Sequence, residues 1–302
     1  MKTPLYSPGH NSSFSNMHSS YFKTANNHEI RFAITNSEIK KIKGTVVILK
    51  NYTDTLEEYF LPMNEISQRG FYTTIFDWFG QEGNQPNKQK WYRHNYFNIN
   101  NYINYLSEFL KIIVYTDCPP PYYMLTYGMG GLIALNGLSL ITHQFNRMLC
   151  VSPLFAPLGN KTNSFQHKLT QFFSDIGLGF LPVKDRKKLK QKNTQSNFSN
   201  FSFNPITAQW LSSTLNAIDA MKTNILHGNL QIPTLFILAN QNNIANNIEA
   251  RQLCRLTHLT DSITIIGADL DTIMREKYFY KQFWSAFDCF ISNNHQKHKI
   301  VQ

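Results

Sequence analysis

Short apolar runs rich in β-branched and aromatic residues alternate along this chain with longer stretches of helical period. Gly44–Leu49, Phe71–Phe76, Tyr122–Thr126, Met148–Ser152, Thr234–Ala239 and Ser262–Ile266 read as strands. Leu56–Arg69 (with a kink allowed at Pro62), Ile99–Tyr115, Leu132–Leu140, Ala208–Ile225, Ile248–Leu256 and Tyr278–Ile291 read as helices. The alternation predicts an α/β class fold, a mostly parallel sheet with helices on both faces. In such sheets sites form at the carboxyl ends of the strands. At 302 residues the chain suits one large domain, or one domain carrying an inserted cap.

The alternation breaks between Pro153 and Pro205. An apolar segment, 172–181, is followed there by a basic run of Lys184, Arg186, Lys187, Lys188, Lys190 and Lys192, then by an Asn/Ser/Phe tract. This stretch is expected to be a cap or lid over the strand ends. Its apolar and cationic neighbours suit an anionic interface, but a solvated loop beside an ordinary buried helix is the simpler account of them. The resulting plan is a polar N-terminal segment (1–28), a core (29–152 and 206–292), a cap (153–205) and a C-terminal tail (293–302).

Composition narrows the function classes. A net charge of +10 favours anionic partners. Nucleic acid is not expected, because zinc-finger spacing, a basic heptad region and an RNP-like aromatic motif are all missing. Cys118, Cys150, Cys254 and Cys289 are too far apart for a CxxC pair, and three lie in apolar stretches suited to core thiols. The histidines, among them His94, His143, His167, His227 and His258, show no metal-ligand spacing. No metal or cofactor is therefore expected. Neither a secretory signal nor a membrane-spanning apolar run is visible, so a cytoplasmic location is expected, with peripheral contact at the inner face of the membrane.

One segment carries more information than the rest. Tyr122–Leu135 reads as a buried strand, a glycine-lined tight turn and a helix. That is the layout of a nucleophile elbow. Other landmarks follow in order: 43–49, Glu58-Tyr59-Phe60, Arg69-Gly70-Phe71, Asp77-Trp78-Phe79-Gly80-Gln81-Glu82-Gly83, 205–211, Gly267-Ala268 and 283–287. From about residue 29 to residue 291 the chain resembles the lysophospholipase and monoacylglycerol-lipase branch of the α/β-hydrolase superfamily. The resemblance implies the α/β-hydrolase fold with an inserted cap, and a serine carboxylester hydrolase ancestry.

The residues that should carry the chemistry depart from that pattern. The resemblance puts the nucleophile at Gly128, the acid at Asn242 and the histidine at Leu270. It puts the oxyanion-hole donors at Tyr52, beside Asn51, and at Met129; Gly130 and Gly131 complete the elbow turn. Glycine has no attacking oxygen, leucine no basic nitrogen, and asparagine no charge to stabilise an imidazolium. Glycine also tolerates the strained geometry of the elbow. Substitutes are weaker. Ser152 suits a helix cap or strand-end hydroxyl, Thr126 points into the sheet, Asp269 and Asp271 suit a solvated loop, and Asp77 suits a structural role. Three readings follow. The first is a catalytically silent hydrolase-fold protein that binds a lipid or acyl ligand, or another protein. The second is an active carboxylester hydrolase using non-standard residues. The third is an interaction protein using its basic cap surface.

Overall fold

A computed structural model describes residues 16–52, 54–79, 98–155, 208–240, 247–255, 257–269, 272–273 and 276–292. Asn242, Leu270, Asp271, His94, His167, the basic 184–192 run and nearly all of the expected cap lie outside the described residues. Eight strands form one sheet: β1 (Met17–Lys23), β2 (Glu29–Thr35), β3 (Thr45–Leu49), β4 (Tyr72–Phe76), β5 (Tyr122–Tyr127), β6 (Phe145–Val151), β7 (Thr234–Ala239) and β8 (Thr260–Ile265). Their order is β1-β2-β4-β3-β5-β6-β7-β8. β2 pairs antiparallel with β1 and β4, and every other pair is parallel.

Burial explains which strands were legible. β3, β5 and β7 are buried at every position, as expected of parallel strands covered on both faces. Their side chains alternate between two cores. Val47, Leu49, Met124, Phe236 and Leu238 join one, and Val46, Ile48, Tyr123, Leu125, Leu235 and Ile237 join the other. The first core is covered by α2 (Ile99–Phe109), α4 (Met129–Asn136) and α6 (Ala208–Leu226); the second by α1 (Phe60–Gln68) and α8 (Lys277–Phe287). Shorter helices are α3 (Tyr115–Asp117), α5 (Leu138–Ile141) and α7 (Asn247–Cys254).

Several sequence expectations need correction. β1 falls inside the segment assigned as polar and N-terminal. Its MHSSYFK text is only partly apolar because it is an edge strand, yet Met17 and Phe22 are buried and its whole length pairs with β2. The helix expected at Leu132–Leu140 starts at Met129 and is broken at Gly137, where α4 ends and α5 begins. Pro62 introduces no mid-helix break. It sits in the first turn of α1, after a 3-10 turn at Leu56–Tyr59, where a missing N–H leaves no helix bond unmade. The helices at Ile99–Tyr115 and Tyr278–Ile291 pass into π-turns at Leu110–Val114 and Asp288–Ser292. Only two cysteines, Cys118 and Cys150, are core thiols; Cys254 is half-buried and Cys289 exposed.

The topology also fixes where a site can form. From β3 the chain passes to β4 on one side, and β5 then returns to the opposite side of β3. This reversal is the switch point of the sheet; in α/β sheets ligands bind at such a point, outside the carboxyl ends of the flanking strands, here β3 and β5. The residues at those ends are Lys50, Asn51 and Tyr52 on one strand, and Gly128 and Met129 on the other.

Candidate functional site

The turn between β5 and α4 consists of one residue, Gly128, at φ 49° and ψ −113°. A residue with a Cβ adopts this geometry only under strain, on the order of 1–3 kcal/mol. The turn is held from three sides. The Gly128 N–H donates to Val151 O at 3.0 Å, and its carbonyl accepts from Leu154 N and Gly131 N, both at 3.1 Å. The next two residues are glycines for a packing reason. A Cβ on Gly130 would lie 2.2 Å from Leu49 O, and one on Gly131 would lie 2.8 Å from Pro153 Cβ. The start of α4 is thus pressed directly against the end of β3.

That closeness produces a contact across 78 residues: the Met129 N–H donates to Asn51 Oδ1 at 3.2 Å. The Asn51 N–H in turn donates to the Tyr59 hydroxyl at 3.3 Å, and that hydroxyl donates to Asp54 Oδ2 at 2.7 Å. Tyr52, the other expected donor position, is buried with its ring 6.1 Å from that of Tyr102.

Below Asn51 lies a buried ionic cluster. The Lys50 side chain is 0 % exposed and that of Asp77 2 %, with Nζ 3.1 Å from Oδ1. Lys50 also donates to Asp54 O at 2.6 Å. Arg31 donates to the second Asp77 oxygen at 2.7 Å and grips Glu57 bidentately at 2.6 and 3.0 Å. Burial works against the Arg31 charge, but Asp77 and Glu57 overcome it and raise its pKa. Trp78 closes the base by donating to Lys50 O at 3.0 Å. Two cations and two carboxylates balance here, so Asp77 braces the 50–57 loop and presents no free acid.

The other candidates are placed as structural groups. Ser152, at φ 41°, is buried. Its N–H donates to Ile237 O, and its Oγ accepts from Ala239 N at 3.2 Å, so it stitches β6 to β7. Thr126 is buried within β5. The Asp269 carboxylate accepts from Thr272 N, while Thr272 Oγ1 accepts from Asp269 N, both at 2.8 Å; this is a local turn. Among the described residues no group of three metal-ligating side chains comes together, and no helix is long and apolar enough to cross a membrane.

A family model for the serine aminopeptidase S33 hydrolases matches residues 40–266, well over half of the chain. The chain belongs to this family. No curated protein sequence matches it. Among solved structures, this S33-family chain is similar to the monoacylglycerol lipase of Paleococcus ferrophilus, with TM-score 0.70 and 15% identity over 87% of this chain and 99% of that one. It is similar to a soluble variant of monoglyceride lipase from Saccharomyces cerevisiae in complex with a substrate analogue (0.69, 12%, 94% and 99%). It is also similar to a thermostable carboxyl esterase from Bacillus coagulans in complex with glycerol (0.68, 14%, 91% and 98%). At these identities the likeness establishes the α/β-hydrolase fold.

Burial in this S33-family chain also sets its alkaline behaviour. Burial pushes the Cys118 and Cys150 thiols up from 9.0 to about 12. Tyr59, Tyr102 and Tyr127 are raised well above 10.0, first by burial and then by neighbouring acid or tyrosine groups. Between pH 9 and 12 the native state therefore holds protons that the unfolded chain has released. Stability from these groups is full below pH 9 and falls as pH rises. The urea midpoint is expected to hold constant to about pH 9 and then drop steadily. In parallel, the 295 nm tyrosinate signal of the three buried rings should appear only with unfolding. A midpoint flat to pH 11 would contradict this.

Two features around the elbow had little sequence signal. Lys50 looks like an ordinary strand-end lysine, and nothing nearby in sequence pairs it with Asp77. Asn51 stands beside the expected Tyr52 position, but its partner Met129 is remote in sequence. The signal that could have found it is the glycine pair at 130–131, which announces close approach to another backbone.

Proposed function

We propose that this chain keeps the hydrolase scaffold without serine-triad chemistry and holds an acyl or lipid ligand at the switch point. The observation that carries the reading is Gly128. It occupies the strained turn between β5 and α4, where a nucleophile elbow would present its serine, and offers no side-chain oxygen. Asn242 and Leu270, at the positions suggested for the acid and the histidine, support the same reading, as does the structural role of Ser152. An acyl-type ligand is supported by the neighbours, two of which are monoacylglycerol or monoglyceride lipases, one holding a substrate analogue.

The test is turnover together with ligand content. Purified protein is expected to hydrolyse neither monoacylglycerol nor p-nitrophenyl esters above the buffer rate. Organic extraction followed by mass spectrometry is expected to release an acyl-chain compound in near-stoichiometric amount. Ester turnover that scales with enzyme and survives repurification would refute silence, and a protein free of acyl compounds would refute the ligand.

A further inference from the structure

We infer that Asn51 is an internal stopper: its side-chain carbonyl occupies the Met129 amide and so keeps a ligand's carboxylate or carbonyl oxygen away from that point. The inference rests on the proposed ligand-binding reading and on Met129 as the oxyanion-donor position that the resemblance implies. It adds a specificity-determining residue that the triad positions do not contain.

Met129 is the first residue of α4, and the first-turn amides of a helix have no partner inside it. A buried amide left unpaired is costly, so something must accept from it. In this chain the acceptor is Asn51 Oδ1 at 3.2 Å. It is well placed because both flanking elements are fixed. The end of β3 lies directly against α4, with Gly130 packed on the Leu49 and Lys50 carbonyls. On the Asn51 side, the backbone N–H is held by Tyr59, which is held by Asp54. The preceding residue, Lys50, is locked by Asp77 and the Asp54 carbonyl. An acceptor anchored in this way is preorganised, whereas an external carboxylate must give up translational freedom to take its place. The switch point therefore disfavours a ligand headgroup bound through the Met129 amide.

The test uses the full chain labelled with 15N-methionine. Its eight methionines give few amide signals, and a Met129→Leu variant assigns the relevant one. Asn51→Ala is expected to speed exchange of the Met129 amide hydrogen at least about tenfold, the equivalent of one ordinary hydrogen bond. Asn51→Asp should keep it protected, because a carboxylate also accepts there and suits a helix N-terminus. Addition of dodecanoate should then shift the Met129 signal in Asn51→Ala and leave it unmoved in the unmodified protein. Should Asn51→Ala fold poorly, Asn51→Ser, too short to reach Met129, reads the same exchange. Equal protection in all variants would overturn the inference, and so would a Met129 shift with dodecanoate in the unmodified protein. Faster exchange with no dodecanoate shift in either protein would overturn the gating role while keeping the contact. None of these outcomes depends on whether the chain hydrolyses esters.

Discussion

Replacing Gly130 with alanine will cost about 3 kcal/mol or more of stability, with a midpoint shift in urea and no change in slope. The added Cβ would sit 2.2 Å from Leu49 O, 2.7 Å from Leu49 C and 2.9 Å from Lys50 O. Two are backbone atoms of the fully buried central strand β3 and the third belongs to the buried residue that follows it, so no rotamer change relieves the clash. Overpacking a core typically costs about 1–3 kcal/mol, and a clash with immovable backbone belongs at or above the top of that range. Alanine returns about 1 kcal/mol of helix propensity, which does not offset it. Gly131→Ala should cost less, about 1–2 kcal/mol, because its neighbours stand farther off, Pro153 Cβ at 2.8 Å, Thr126 Oγ1 at 3.1 Å and Pro153 Cα at 3.3 Å. The reverse ranking, or a Gly130→Ala protein as stable as the parent, would mean that α4 can lift from β3.

Asp77→Asn should be comparably damaging, by about 3–5 kcal/mol, because it removes one partner of a buried charge pair. It leaves the fully buried Lys50 without its carboxylate and takes one of two acids from Arg31. Typical domains have only about 5–15 kcal/mol in total, so a loss of this size should be visible in expression as well as in melting. A double change, Lys50→Met with Asp77→Leu, removes both charges, and Arg31 keeps Glu57. It should be less destabilised than Asp77→Asn alone, the mark of a pair whose desolvation and attraction nearly cancel. A loss under about 1 kcal/mol for Asp77→Asn would contradict the ionic brace under the 50–57 loop.

These two sites show what the sequence could and could not reveal. Thr45–Leu49, Tyr122–Tyr127 and Thr234–Ala239 were legible because a strand buried on both faces must be apolar throughout. Met17–Lys23 was not, because an edge strand with His18, Ser19 and Ser20 exposes much of its length and carries mixed polarity. The two π-turns leave no compositional mark. At the site, Gly128 and the glycines after it were legible because a tight turn and a close approach each demand glycine locally. The Asn51–Met129 hydrogen bond and the Lys50–Asp77 pair were not, since each is set by sheet topology, which brings together residues 78 and 27 positions apart.

An elbow with Gly128 in the place of a serine should do no covalent chemistry. Fluorophosphonate treatment read by intact mass tests it most directly, with the triple variant Gly128→Ser, Asn242→Asp, Leu270→His as its companion. The mass of the unmodified protein should stay the same, and the triple variant should gain one phosphonyl group. Labelling of any serine in the unmodified protein would show a working nucleophile and contradict the claim.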